Sequence, residues 1–391
     1  MRRLQYIKIF WLTNRYIDRY FHSTGRIEII KSLVKLGMSV KSVFFYCDKK
    51  KNINNIKNAY YLKAYLGNEL NRVIVGLKEL GIFFLKSKDD DFLILGPVRP
   101  ELFYIFHLLA KLKSKPKLIL DIRTVPVDVP KGVRGIIREK TFHYSIKLAS
   151  RYFAGIMVIS QPLKEKLIKE YKIPEEKVCI YESGVNLGLF NFEATENYRN
   201  KLNFTNRFVI MYHGIFSPNR GLQNVIKAIA RLKDEYPEIL FFLLGKGPAE
   251  NEFKEMVKNM ALDRYVLIHP PVPQSEVPKY IKSADIGILP FPDIEWWRVS
   301  SPLKLMEYLA MKRPVIVTDI PAHRNVIGNK KCGIFIPNHQ PEAIIQGIKS
   351  AIENRKKLAD WGEEGLNIIL NNYTWDHQAL KIVNFLNTLK Q

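Results

Sequence analysis

Cysteine is scarce in this 391-residue chain: Cys47, Cys179 and Cys332 are far apart and odd in number. That excludes a disulfide framework and offers no metal-ligand spacing, so a reducing, cytosolic setting is expected. The eight histidines form no HxxxH-type pair, and neither an essential metal nor another cofactor is expected. No apolar run approaches the ~20 residues needed to span a bilayer. The N-terminal stretch MRRLQYIKIFWLTNRY has a basic start, but Lys8 interrupts its apolar run and no small-residue cleavage site follows. Residues 6–13 therefore read as a first buried strand rather than a signal peptide. There is no short tandem repeat.

Acidic residues are also in short supply, 38 Asp/Glu against 61 Lys/Arg, for a net charge of +23. The deficit is uneven. Residues 1–187 carry 35 basic and 17 acidic side chains, a net of +18, and residues 188–391 carry 26 and 21, a net of +5. Such asymmetry suggests that one half faces something anionic, with nucleic acid, anionic lipid and phosphorylated substrates all open.

What is abundant is apolar and aromatic residues, 47% and 12% of the chain, which excludes global disorder, and the length fits two domains. In the C-terminal half, RFVIMYHG, ILFFLLG, VLIHP, IGILPF, PVIVTD and CGIFIP alternate with helical patterns. Near-continuous apolar strands between helices indicate a parallel sheet covered on both faces, a doubly wound Rossmann-like domain. The N-terminal half repeats this with IKIFWLT, MSVKSVFFY, DFLILG, KLILDIR and GIMVIS as strands; YLKAYLGNELNRVIVGLKELG (61–81) reads as an amphipathic helix after a polar loop, DKKKNINNIKN. The domains are placed at 1–187 and 188–373, with the linker in ESGVNLGLFNF (182–192). A final amphipathic helix over 374–391, N-capped by Thr374, is expected to pack back toward the first domain. Two such domains imply a deep cleft, each offering the carboxyl ends of its strands.

Three motifs carry chemistry. HGIFSPNRGLQNVIKAI (213–229) is a strand end, a glycine turn at Gly214, and a helix opened by Arg220-Gly221. Free first-turn N–H groups and the helix dipole favour an anion there, with Arg220 as a charge-assisted donor; a tight βα turn with a surface arginine is the plainer alternative. LLGKGPAENEF (243–253) is a weaker glycine turn. SSPLKLMEYLAMKRPVIVTDIP (300–321) is more specific. Pro302 suits the first helical turn; the N–H groups of Leu303 and Lys304 suit a diphosphate, and Glu307 suits a ribose 2′,3′-diol. An acid among Leu305, Met306, Leu309, Ala310 and Met311 needs a partner.

This last run resembles the nucleotide-sugar motif of glycosyltransferase family 4, retaining enzymes built from two facing Rossmann-like domains (the GT-B architecture). YHGIFSPNRGLQNVIKAI resembles the family's phosphate-binding segment, with Arg220 at its basic position. DIRTVPV and AGIMVISQPLKEKLIKEYKIPEEKVCIYESGVNLGLF resemble the end of the acceptor domain and the linker. The likeness covers residues 115–391 well and 1–114 only in general shape. It implies a metal-independent glycosyl transfer from a nucleoside-diphosphate sugar to a glycan or lipid-linked acceptor. Gly214, Arg220, Gly221, Ser301, Leu303, Lys304 and Glu307 would hold the donor, and Arg220, Lys304 and Asp121 would be catalytic. Asp121, at the end of KLILD, keeps two readings: contact with sugar or acceptor, or a structural turn. Two departures leave the donor sugar open. Val299 stands where many members have a first glutamate, and Ile215 where many have an arginine.

DDD (89–91) reads as a solvated turn rather than a metal site. HLLAKLKSKPK (107–117) and KGVRGIIREKTFHYSIKLASRYF (131–153) place apolar residues (Ile136, Ile137, Phe142, Ile146, Leu148) among Arg134, Arg138, Lys140, Lys147 and Arg151. That pattern suggests docking on an anionic membrane surface, hence a cytoplasmic or peripheral location, or else an ordinary core-facing helix. The competing functions are a basic nucleic-acid-binding protein, though no nucleic-acid motif is present, and a related two-domain epimerase or phosphorylase.

Overall fold

The computed structural model describes residues 7–16, 24–46, 59–63, 81, 91–97, 108, 111, 116–126 and 132–390. The chain forms two compact units, Met1–Glu182 with Trp375–Gln391, and Ser183–Thr374. Each is built on a parallel sheet.

The first unit holds β1 (Lys8–Tyr16), α1 (Thr24–Lys35), β2 (Ser39–Tyr46), β3 (Ala59–Lys63), β4 (Phe92–Leu95), β5 (Lys117–Ile122), α2 (Val133–Tyr152), β6 (Gly155–Val158), α3 (Gln161–Tyr171) and β7 (Val178–Ile180). Its strands lie in the order β3-β2-β1-β4-β5-β6-β7. Phe92–Leu95 and Gly155–Val158 are buried throughout, as expected of strands covered on both faces.

The second unit runs β8 (Phe208–Ile215), α4 (Leu222–Leu232), β9 (Ile239–Lys246), α5 (Glu250–Asn259), β10 (Val266–His269), α6 (Val277–Ser283), β11 (Ile286–Leu289), α7 (Glu295–Arg298), α8 (Leu303–Ala310), β12 (Val315–Thr318), α9 (Pro321–Ile327), β13 (Gly333–Ile336), α10 (Pro341–Glu353) and α11 (Leu358–Asn372). The order is β10-β9-β8-β11-β12-β13, all parallel. The winding reverses between β8 and β11, so the crevice beyond their carboxyl ends is the switch point of the sheet. On α4, Leu222, Val225, Ile226, Ala228, Ile229 and Leu232 are buried, the 3.6-residue stripe of a helix lying on a sheet.

The last helix, α12 (Trp375–Thr388), belongs to the first unit. Buried Gln378 accepts a hydrogen bond from the Glu182 N–H at 2.8 Å, and Lys381 pairs with the Glu182 carboxylate at 2.9 Å.

Four expectations change. The segment opening at Tyr61 was expected to be helical, but Ala59–Lys63 pairs with β2 as a strand; most of residues 64–90 lie outside the described set. The boundary falls at Glu182/Ser183 rather than after residue 187. The Ser183 N–H donates to Ser301 Oγ at 2.8 Å and the Val185 N–H to the Tyr373 carbonyl at 2.8 Å, tying this stretch to the second unit. Asp91 is buried rather than solvated, its carbonyl accepting the Lys117 N–H at 2.9 Å; Asp89 and Asp90 are outside the described residues. On α2, Phe142, Ile146 and Leu148 face the core, while Val133, Ile136 and Ile137 are 73%, 53% and 45% exposed. Most of residues 107–117 are outside the described set.

Candidate functional site

Strand β8 delivers His213 and Gly214 to the switch point, and α8 begins beside them after β11. Gly214 has φ +113°, and a Cβ there would stand 2.5 Å from Lys304 Cε. The lysine therefore lies directly over the glycine, and the positive φ is what favours a residue without a side chain here. Gly221 has φ +71° and precedes α4; a Cβ there would stand 2.1 Å from the Pro290 carbonyl oxygen, just beyond β11. Both glycines thus bring the two sides of the switch point together.

Arg220 sits between them in sequence. Its guanidinium carbon is 5.0 Å from the Trp297 ring centre and 5.6 Å from that of Phe291, and these two rings stack at 4.1 Å. Trp297 Nε1 donates to the Asn219 carbonyl at 2.9 Å, which locks the platform to the Arg220 turn. A cation on aromatic faces keeps its N–H edges free for an anion. Arg220 Nε is buried with no hydrogen-bond partner among the described residues.

On α8, Pro302 occupies the capping position and Leu303 begins the helix, so the Leu303 and Lys304 N–H groups have no acceptor within the helix. Ser301 Oγ accepts from Ser183, and its carbonyl accepts from Ser183 Oγ at 3.0 Å. Lys304 Nζ lies 5.9 Å from the Tyr212 ring centre, with no carboxylate at ion-pair distance among the described residues. Burial, and then the positive charge of Arg220, pull Lys304 down to about 7, with Glu307 opposing.

Glu307 is 7% exposed. Its neighbour is His213, whose Nε2 stands 3.4 Å from Oε2; the geometry is too poor for a hydrogen bond, and that nitrogen has no hydrogen-bond partner among the described residues. Burial raises Glu307 to about 7, Lys304 pulling the other way. His213 is lowered well below 6.5 by burial and then by Lys304, so it is neutral. Its ring packs edge-on to Tyr308 at 5.1 Å, while the Tyr308 hydroxyl takes the His213 N–H at 3.1 Å and donates to the Met211 carbonyl at 3.0 Å.

Gly214, Arg220, Gly221, Ser301, Leu303, Lys304 and Glu307 thus belong to one switch-point neighbourhood. His213, Phe291 and Trp297 join them and were not singled out from sequence; the signal for His213 was a histidine closing an otherwise apolar strand just before the glycine turn. Asp121 belongs to the first unit. The residue is 1% exposed, and each carboxylate oxygen has a donor, the Tyr181 hydroxyl at 2.6 Å on one and Arg26 Nη1 on the other.

Two cations with no carboxylate at ion-pair distance among the described residues, a free helix start and a buried carboxylate with no hydrogen-bonded donor among them thus meet at the switch point of a doubly wound, Rossmann-like sheet, an arrangement that suits an anion. Residues 194–367, within the second unit, match the family described as glycosyl transferases group 1. An uncharacterized glycosyltransferase of Methanocaldococcus jannaschii is 22% identical over 263 residues, 63% of each chain. A D-inositol 3-phosphate glycosyltransferase of Thermobispora bispora is 21% identical over 268 residues, 66% of this chain and 58% of that one. The match spans about three fifths of the length of these two relatives. The structure of Anabaena HepE in complex with UDP and glucose superposes with a TM-score of 0.76 at 13% identity, over 97% of this chain and 99% of that one. The two-domain parallel-sheet fold is therefore that of a solved UDP-binding protein.

Proposed function

We propose that the chain moves a glycosyl unit from a nucleoside-diphosphate sugar to an acceptor hydroxyl with retention of configuration. One observation carries this reading: among the described residues Arg220 and Lys304 have no carboxylate at ion-pair distance, at the same edge where no donor hydrogen-bonds Glu307. A diphosphate next to a ribose diol supplies both deficits. The bond between the sugar C1 and the phosphate oxygen breaks, its electron pair going to the diphosphate. Arg220, Lys304 and the α8 N-terminus stabilise that charge. The acceptor oxygen bonds to C1 on the same face, and its proton passes to a diphosphate oxygen. Glu307 accepts from the ribose hydroxyls. Asp121, held by Arg26 and Tyr181, is assigned a structural role in the first unit rather than contact with the sugar or acceptor. No metal is assigned a part.

Incubation with a panel of nucleotide sugars and glycan or lipid-linked acceptors, with EDTA present, tests this. Acceptor-dependent nucleotide release and an unchanged anomeric configuration in the product are expected. Release from no donor, or only with added metal, or inversion in the product, would contradict it.

The exposed Val133, Ile136 and Ile137 lie near exposed Arg138, Lys140, Lys147 and Arg151 on α2, and this favours a second proposal, docking on an anionic membrane. Sedimentation with anionic vesicles that fades at high salt is expected; no binding at low salt would sink it.

A further inference from the structure

The first unit has its own surplus of hydrogen-bond donors. Arg26 and Tyr181 share the Asp121 carboxylate, and Arg123 Nη1 donates to the Tyr181 hydroxyl at 3.2 Å. Trp11 completes the cluster. Arg26 lies over its ring at 4.6 Å, Tyr181 meets it edge-on at 6.2 Å, and its Nε1 is buried with no hydrogen-bond partner among the described residues. Two guanidiniums, a phenol and an indole N–H thus cluster around a single carboxylate, to which only Arg26 and Tyr181 donate directly. Among the described residues no carboxylate stands at ion-pair distance from Arg123, which is half-buried. A Cβ on Gly25 would lie 3.3 Å from Arg123 Nη2, so this guanidinium passes the first turn of α1, whose N–H groups also favour an anion.

We propose that Arg123, held by Tyr181 at the carboxyl edge of the first sheet, binds an anionic oxygen group, phosphate monoester or carboxylate, on the acceptor. Arg26 is neutralised by Asp121, so the net positive charge of the cluster resides on Arg123. A planar fork matches both anions bidentately. That the anion belongs to the acceptor rests on the glycosyl-transfer reading; the anion site itself does not.

The test is calorimetric titration of the full chain at low ionic strength with glycerol 3-phosphate and with glucuronate, glycerol and glucose serving as neutral controls. UDP or GDP is present at saturation if either binds. Arg123→Ala is expected to weaken binding of at least one anion by about ten- to a hundredfold, and Arg123→Lys by less. Arg264→Ala, at an exposed position of the second unit, should change nothing. Loss confined to glycerol 3-phosphate points to a phosphate-bearing acceptor, and loss confined to glucuronate to a uronate-bearing one. Neither anion binding, unchanged affinity in a folded Arg123→Ala, or an equal loss in Arg264→Ala would overturn the proposal. Absence of UDP and GDP binding would instead count against the donor site and leave this result standing.

Discussion

Two buried carboxylates stand at the carboxyl ends of the two sheets, and they are treated oppositely. In the first unit, Asp121 is saturated by Arg26 and Tyr181. In the second, Glu307 is also buried, yet no donor hydrogen-bonds it among the described residues, and burial raises it to about 7. A buried charge left short of partners costs stability. The first carboxylate is part of the framework; the second is kept for something that arrives. The cations divide in the same sense, Arg26 being paired and Arg220 and Lys304 not.

This contrast can be broken at its backbone. Gly221→Ala would drive a methyl group into the Pro290 carbonyl at a positive φ and is expected to cost about 3–5 kcal/mol. Thermal denaturation should show the loss in the second unit's transition, with nucleotide binding lost as well. A variant of wild-type stability would mean that the approach of β8 to β11 is not as described.

Next in size, Arg220→Ala should lower turnover by about 10²–10³ and affinity for nucleoside diphosphate by about 10–100-fold, with nucleoside affinity nearly unchanged. Binding curves for the diphosphate and the nucleoside, measured side by side, check this. Equal losses for both would remove the phosphate role.

A smaller effect sharpens the electrostatics. Glu307 is raised to about 7 and Lys304 lowered to about 7. The ribose needs the carboxylate, present above that value, and the diphosphate needs the ammonium, present below it. Nucleotide affinity should therefore peak near neutral pH. Glu307→Gln should keep only the fall at high pH, and Lys304→Met only the rise from low pH. Isothermal titration from pH 5.5 to 8.5 reads both limbs; a flat profile would show that neither group changes charge on binding.

How far these features were legible follows from where their determinants lie. All six strands of the second sheet were readable: burial on both faces writes continuous apolar runs such as FVIMY and ILFFLL in the inner strands, and the less buried edge strands VLIH and GIFI are still short apolar runs between helices. In the first sheet the two edge strands escaped. β3 lies where YLKAYL also fits a helical stripe, and β7 is three residues long inside a run read as the approach to the linker. Arg220, Lys304 and Glu307 were legible as motifs because each belongs to a local strand–turn–helix signature. His213 and the Phe291–Trp297 platform were not, since a histidine at a strand end gains meaning only from Glu307 and Tyr308, which the chain supplies far downstream. The two readings of Asp121 stayed open for the same reason. Its partners Arg26 and Tyr181 come from opposite ends of the first unit's sequence.

The measurement closest to the central claim is calorimetric binding of UDP and GDP to the wild-type chain and to Glu307→Ala, with circular dichroism confirming the fold of both. The account predicts that the wild type binds at least one nucleotide and that the variant binds it about ten- to a few hundredfold more weakly, the worth of a charge-assisted hydrogen bond or two. A folded Glu307→Ala with unchanged affinity would contradict the claim that this carboxylate is held in reserve for the donor nucleotide.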